Sequence, residues 1–470
     1  MPEQPFIVGG TWRRSQSVLP LRNPYTGETL ADVHQAGGTD AEEAVRSAVA
    51  AAPAMASLSG YDRSEALASV AAGLKAKKEE FARTITAESG KPIAFARVEV
   101  DRAVTTFTLA AEEARRITGE SIPLEASKGS SGRRGIVERF PVGPVLCITP
   151  FNFPLNLVAH KVAPAVAAGN PFILKPAPQT PLTALKLGEL LVASGLDPRA
   201  VNILPAPNET AETLVADDRI AMLSFTGSAA VGWRLKSRAG KKRVTLELGG
   251  NAAVIVDPSA DVSAAAARCV MGAFASAGQV CIKVQRTIVL HEAAERFTAE
   301  VMKALPAAVT GDPSDERTVV GPLVSAKEAD RVEQWIRDAV SAGAVVLAGG
   351  ERRGSIIPPT VLTDVRPEMK VCSEEVFGPV LTVETAGTLE EAVAMVNASR
   401  YGLQAGLFTN DLRSVRYAYR TLNVGGLIIN DFPTFRADDM PYGGVKDSGF
   451  GREGVRYAMD EMLEKKLLVW

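Results

Sequence analysis

The 470-residue chain predicts an α/β fold of two units, each a mainly parallel sheet wrapped by helices, with a small β arm attached. Two observations carry this expectation. Short apolar, β-branched runs alternate with helical stretches from residue 143 onward, the rhythm of βαβ units, and the rhythm begins again near residue 252. A polar, Gly/Ser-rich interruption at 119–140 ends in the strand-like RGIVERF, which favours a projecting β-hairpin over a disordered loop.

In chain order, GPVLCITP (143–150) reads as a buried strand. PLNLVAHKVAPAVAAGN (154–170) follows as a helix opened by a proline and closed by Gly169-Asn170. PFILKP (171–176) is a strand and PLTALKLGELLVASGL (181–196) a helix, after which AVNILPA, AMLSFTG and RVTLELGG continue the strands. Right-handed crossovers between such strands give a doubly wound sheet. The second series places strands at AAVIVD, RTIVL, VVLAGG and VLTVETA, and helices at 261–275, 291–304 and 325–342. The expected units are 1–118 with 141–250, then 251–440, with an arm from 119–140 and 455–470. The C-terminal LEKKLLVW is an apolar strand that would leave a sticky edge on a monomer, so a homodimer or homotetramer is expected.

Composition excludes several classes of function. Lys and Arg total 52 against 54 Asp and Glu, a net charge of −2, so no global field recruits nucleic acid or an anionic membrane. No apolar run approaches the ~20 residues of a membrane span, and the N-terminus shows no signal-peptide core, so a cytoplasmic location is expected. Four cysteines without a CxxC pair and three scattered histidines, His34, His160 and His291, form neither a disulfide framework nor a zinc site. No metal is expected.

Three stretches could carry chemistry. SAGQVCIKVQR (276–286) holds Cys281, with Gly278 allowing close approach of backbone and substrate. TPFNFP (149–154) places Asn152 at the carboxyl edge of the sheet, where an amide can cap a helix or donate to an oxyanion. VTLELGGN (244–251) sets Glu247 in an apolar strand before two glycines, where a carboxylate is either salt-bridged or a general base with a raised pKa. A fourth stretch, FTGS (225–228), ends a strand and opens a helix, so that Ser228 and the first helical N–H groups can receive a phosphate.

These stretches are not independent. The chain resembles the aldehyde dehydrogenase superfamily in FIVGGTW, NPYTGE, ITPFNFP, AAGNPFILKPAPQTP, FTGS, LELGGN, GQVCI, EEVFGPVL and MPYGGVKDSGFGREG, in that order over nearly the whole chain. The resemblance implies a Rossmann-like doubly wound cofactor domain, a second α/β catalytic domain and a small β oligomerisation arm. It implies that Cys281 is the nucleophile, that Asn152 and the Cys281 backbone N–H form the oxyanion hole, and that Glu247 activates water. A thiolate adds to the aldehyde, hydride leaves the tetrahedral adduct, and water hydrolyses the resulting thioester to the acid. Branches that pass the acyl group to coenzyme A characteristically lack this glutamate, so the expected product is the free carboxylate.

For the dinucleotide, the resemblance places Gly227, Ser228 and Gly232 at the pyrophosphate turn and Lys175 on the adenosine ribose. Glu375 is placed on the nicotinamide ribose and Phe377 against the nicotinamide, with Phe151 and Pro178 also at the cofactor. Many NAD-preferring relatives carry Glu where this chain has Pro178, which can neither accept from both ribose hydroxyls nor repel a 2′-phosphate. The expected cofactor is therefore NADP or NAD.

On the substrate side, His160 lies eight residues beyond Asn152 on the same expected helix, with Asn156 between them, so all three should face the substrate. The resemblance adds Arg102 and Arg436 at the mouth of the substrate tunnel, and Ile282 beside the cysteine. Arginines at those two positions bind phosphate in non-phosphorylating glyceraldehyde-3-phosphate relatives, although that branch has an arginine where this chain has Val280. Three basic side chains converging on one tunnel predict a small anionic or hydroxylated aldehyde. Two other readings compete. One is a cysteine acyl-transferase or thioesterase using Cys281 with His160 as base, and the other is a catalytically retired binding protein on the same fold.

Overall fold

The computed structural model describes residues 2–470 and contains two large sheets and two small ones. Five parallel strands form the centre of the first large sheet. Their spatial order is Arg243–Glu247, Met222–Thr226, Val145–Ile148, Phe172–Lys175 and Val201–Ile203. Counted along the chain, this is fifth, fourth, first, second, third, the doubly wound order. Gly449–Phe450 adds antiparallel to one edge, and Phe6–Val8 with Thr11–Arg13 to the other.

The winding reverses between Val145–Ile148 and Met222–Thr226, and chain segments leaving those two strands diverge to open a crevice at their carboxyl ends. Pro150 to Asn152 and Gly227-Ser228 lie at that crevice. All four residues of Val145–Ile148 are buried, as a strand covered by helices on both faces requires.

The second large sheet has seven strands, in the order Val345–Ala348, Thr360–Thr363, Val380–Ala386, Arg286–Leu290, Ala253–Val256, Gln404–Phe408 and Gly426–Ile429. Only Val345–Ala348 runs antiparallel to its neighbour. Glu247 ends the last central strand of the first sheet, and Gly249-Gly250 lead directly to Ala253–Val256 of the second. Cys281 lies between helix Val262–Phe274 and strand Arg286–Leu290.

The stretch 119–140 forms a hairpin of Glu120–Pro123 and Arg134–Pro141, to which Leu463–Val469 pairs antiparallel. Residues 455–461 depart from the expected arm. They form helix Val455–Glu461, whose Val455 and Met459 join the hydrophobic core of the first sheet, so the C-terminal strand begins only at Leu463.

The helix expected from Pro154 begins at Asn156 and runs to Ala167. Its first turn is fixed by Glu99, whose Oε1 accepts from the Leu155 N–H at 2.9 Å and the Asn156 N–H at 3.1 Å. A carboxylate there satisfies helix donors that have no partner within the helix. Glu99 comes from helix Ile93–Ala114, one of four helices between residues 38 and 114. Asn152 is therefore in the turn before the helix and does not share a helical face with His160.

Candidate active site

Cys281 sits at the end of a strained loop. Ser276, Ala277 and Gly278 have φ of 54°, 56° and 66°, three successive left-handed residues. Non-glycine residues in that region cost roughly 1–3 kcal/mol each and persist only where the surroundings hold them. A Cβ on Gly278 would lie 2.4 Å from the Gly378 carbonyl oxygen, so glycine is required there by space as well as by φ. Gln279 fastens the loop: its Oε1 accepts from the Val324 N–H at 3.0 Å. Its carbonyl accepts from Asn152 Nδ2 at 2.9 Å. An amide nitrogen carries two hydrogens, so Asn152 retains a second donor while being held against the cysteine loop.

Asn152, Glu247 and Cys281 line one cleft of about 450 Å³ together with Phe151, Gly227, Ser228, Glu375 and Phe377. Cys281 is partly exposed to it, whereas Cys147, Cys269 and Cys372 are buried. Lack of solvation pushes the Cys281 thiol up to about 11, opposed by its hydrogen bond with Tyr442. Glu247 is 2% exposed and neither carboxylate oxygen has a hydrogen-bond partner. Burial, then the nearby Glu453, raises its pKa well above the ordinary carboxylate value. Of the two expected states for Glu247, the unpaired one is observed.

The far side of the same crevice suits a dinucleotide. Gly249 lies against Glu375, where a Cβ would come within 1.9 Å of Oε2, and the Gly250 N–H donates to Glu375 Oε1 at 3.1 Å. Burial raises the Glu375 carboxyl to about 7. Phe377, at φ 47°, meets Phe151 edge to face at 5.8 Å. Ser228 caps helix Ala229–Arg238 without using its hydroxyl, leaving that group and the first helical N–H groups facing the cleft. A second cavity of about 320 Å³ continues past Gly227 and Ser228 and is lined by Lys175, Pro178 and Arg234. Gly232 does not line either cavity. It lies in the helix where a Cβ would strike Leu248 at 2.4 Å, so it serves close packing of helix on sheet.

The substrate residues expected from sequence cluster behind the cleft, outside its lining. For Arg102, Asn156 and His160 the hub is Asp438, which the sequence reading missed. Its Oδ1 accepts from Arg102 Nη2 at 2.6 Å, from His160 Nε2 at 2.8 Å and from Asn156 Nδ2 at 3.2 Å. Thr106, one turn beyond Arg102, donates to Asn156 Oδ1 at 3.1 Å. His160 is fully buried, and burial lowers its pKa to about 4, so the imidazole is neutral at neutral pH. The expectation of three converging cations is thus corrected to two. With its Nε2 on Asp438 and Nδ1 unpartnered, His160 does not contact Cys281, and the acyl-transferase pairing of these two residues is not seen. Ile282 is buried at 3% exposure in an apolar cluster with Val280, Leu403 and Tyr442.

Arg436 donates from Nη2 to Glu453 at 3.1 Å, stacks on Tyr442, and leaves Nε without a partner. Glu453 also receives Lys161 at 2.7 Å, and both are buried. Lys161 offered one sequence signal, a lysine in the mainly apolar helical run NLVAHKVAPAVA. Tyr442 and Glu453 both lie in MPYGGVKDSGFGREG, but the sequence reading gave neither a role.

Comparison with known proteins agrees with this geometry. Residues 12–468 match the Aldehyde dehydrogenase family. The 3-sulfolactaldehyde dehydrogenase of Priestia aryabhattai is 44% identical over 465 residues, spanning 99% of this chain and 97% of the relative. Aldehyde dehydrogenase 21 of Physcomitrella patens, solved with the reaction product succinate, superposes with a TM-score of 0.97 at 46% identity, covering 100% of this chain and 98% of that one. The glyceraldehyde-3-phosphate dehydrogenase GapN of Methanocaldococcus jannaschii, complexed with NADP, gives 0.93 at 37% identity, covering 97% of this chain and 99% of that one. The chain belongs to the aldehyde dehydrogenase family.

Proposed function

We propose that this aldehyde dehydrogenase oxidises a small anionic aldehyde, hydroxylated or semialdehyde in type, to its carboxylate through a covalent adduct on Cys281. The single observation that carries this reading is the cleft where Cys281, Asn152 and the unpaired Glu247 meet. The Cys281 sulfur attacks the aldehyde carbon, and the resulting oxyanion accepts hydrogen bonds from the second Asn152 N–H and the Cys281 backbone N–H. When bound, NADP or NAD accepts the hydride expelled from that carbon. Glu247 then takes a proton from water as the water attacks the thioester, which releases the acid and restores the thiol.

The dinucleotide is assigned to the crevice between Glu375 and Phe377 on one side and Lys175 on the other, with Ser228 at the phosphates. Pro178 bears no acid that would repel a 2′-phosphate, so NADP as well as NAD is accommodated.

Anion selectivity rests on charge balance. Among the ion pairs behind the cleft, Arg102, Lys161 and Arg436 meet two carboxylates, Asp438 and Glu453, while the buried His160 is neutral. The relatives named above act on a sulfonate, yield a dicarboxylate and are named for a phosphate ester, and all of these carry an anion close to the reacting carbon. The enzyme works in the cytoplasm as a homodimer or homotetramer joined through the arm of 120–141 and 463–469.

The test is a panel of 3-sulfolactaldehyde, succinate semialdehyde, glyceraldehyde 3-phosphate, lactaldehyde and hexanal with each dinucleotide, read by absorbance of the reduced cofactor. An anionic aldehyde should exceed hexanal in kcat/KM by about 10²–10⁴-fold. A preference for hexanal would overturn the anionic reading.

A further inference from the structure

The Cys281 sulfur has a hydrogen-bond partner on a distant segment of the chain: Tyr442 Oη lies 2.9 Å from Sγ. Tyr442 is 3% exposed and packed among Val280, Ile282 and Leu403. The Arg436 guanidinium stacks on its ring with the central carbon 3.8 Å from the centroid, and Glu453 holds that guanidinium at 3.1 Å. A cation over the ring face draws electron density from the phenol and strengthens its O–H as a donor. Resting on the reading of Cys281 as nucleophile, we propose that Tyr442 is a further catalytic residue, whose hydroxyl donates to the Cys281 sulfur and favours the thiolate that attacks the aldehyde.

Tyr442 acts as a donor and not as a base. Burial and the neighbouring Cys281 and Glu247 hold its phenol well above its ordinary range, so it keeps its proton throughout. The thiol proton leaves to water in the cleft. A sulfur lone pair then forms the C–S bond while the carbonyl π pair moves onto oxygen. The other groups facing the sulfur act at longer range: Arg436 favours the anion, whereas Glu375 and Glu247 oppose it when ionised. A phenylalanine at 442 would keep the ring and the stacking but leave the sulfur anion without this donor.

The experiment is the rate of iodoacetamide alkylation of Cys281 against pH, followed by mass spectrometry of the peptide that carries it, in the full-length enzyme and in Tyr442→Phe. Loss of a charge-assisted bond should move the midpoint up by about one to two pH units, a tenfold to hundredfold loss of thiolate at fixed pH below the midpoint. The burst of reduced cofactor should slow by the same factor. Replacing Tyr442 with 3-fluorotyrosine, which preserves the fold and acidifies the hydroxyl, should lower the midpoint. A midpoint unchanged in either protein overturns the role of Tyr442. If alkylating Cys281 in the unaltered enzyme leaves turnover intact, the nucleophile reading itself falls.

Discussion

Asp438 holds Arg102 in a two-point ion pair, Nη2 at 2.6 Å from Oδ1 and Nε at 3.2 Å from Oδ2. The pair cancels the charge of an arginine that would otherwise add to the attraction of an anionic substrate. Asp438 also accepts from His160 and Asn156, so it sets both the field and the order of this region. Asp438→Asn should raise the ratio of kcat/KM for an anionic over a neutral aldehyde by roughly 5- to 30-fold, the effect of one uncancelled charge at ~8–15 Å in a partly screened interior. It should also lower the melting temperature, because Arg102 would lose its ion pair. A ratio that stays constant would show that Arg102 lies outside the field felt by the substrate.

Arg436 carries the opposite expectation. It lies behind the cleft beside Cys281 with Nε unpartnered, so its charge acts on the substrate anion at a distance, and Arg436→Gln should lower kcat/KM for the preferred anionic aldehyde by about 5- to 30-fold. Hexanal turnover should fall less, since only the shared effect through Tyr442 and Glu453 remains. Equal losses on both substrates would assign Arg436 to structure alone.

Glu247 predicts a pH dependence whose sign follows from its environment. Its pKa in the fold lies above the ordinary 4.5, so the fold favours the protonated form. The associated stability is complete below about pH 4.5 and is lost as pH rises through the raised value. Glu247→Gln should therefore raise the melting temperature more at alkaline pH than at about pH 4.5, as scanning calorimetry can measure. Steady turnover of the unaltered enzyme should climb over the same range as the carboxylate ionises, and the variant should lack that limb. A pH-independent difference in melting temperature would contradict the unpaired state of Glu247.

The C-terminal strand predicts assembly. Leu467, Leu468 and Trp470 are 53%, 62% and 58% exposed, and Leu463–Val469 forms one edge of its sheet, with pairing on one side only. Light scattering should give two or four times the chain mass of 49.6 kDa, and Leu467→Glu combined with Leu468→Glu should return the monomer. A monomeric unaltered protein would end this part of the proposal.

The parts of the site that were legible in sequence lie at the ends of strands, where glycine, proline and a polar residue punctuate an apolar run: Asn152 after Val145–Ile148, Gly227-Ser228 after Met222–Thr226, and Glu247 at the end of Arg243–Glu247. Strands Thr360–Thr363 and Gln404–Phe408 were not legible. They are short, carry threonine or glycine, and alternate too weakly to be separated from loop by local pattern. The charged hub was hidden for another reason. Asp438 and His160 are 278 positions apart, and Lys161 and Glu453 are 292 apart, so each charge read singly resembles a solvated surface residue. The start of the helix at Asn156 was set by Glu99 from a distant helix, a tertiary cap that no local signal reveals.

The central claim is a covalent acyl intermediate on Cys281, and it is tested most directly by trapping it. Glu247→Gln should be mixed with the preferred anionic aldehyde and dinucleotide, quenched within the burst, digested and weighed. The account predicts an acyl adduct on the peptide containing Cys281, in amount equal to the reduced cofactor formed, and no adduct or burst in Cys281→Ser although that variant still binds dinucleotide. A burst of reduced cofactor without an adduct on Cys281, or with one on another residue, would contradict it.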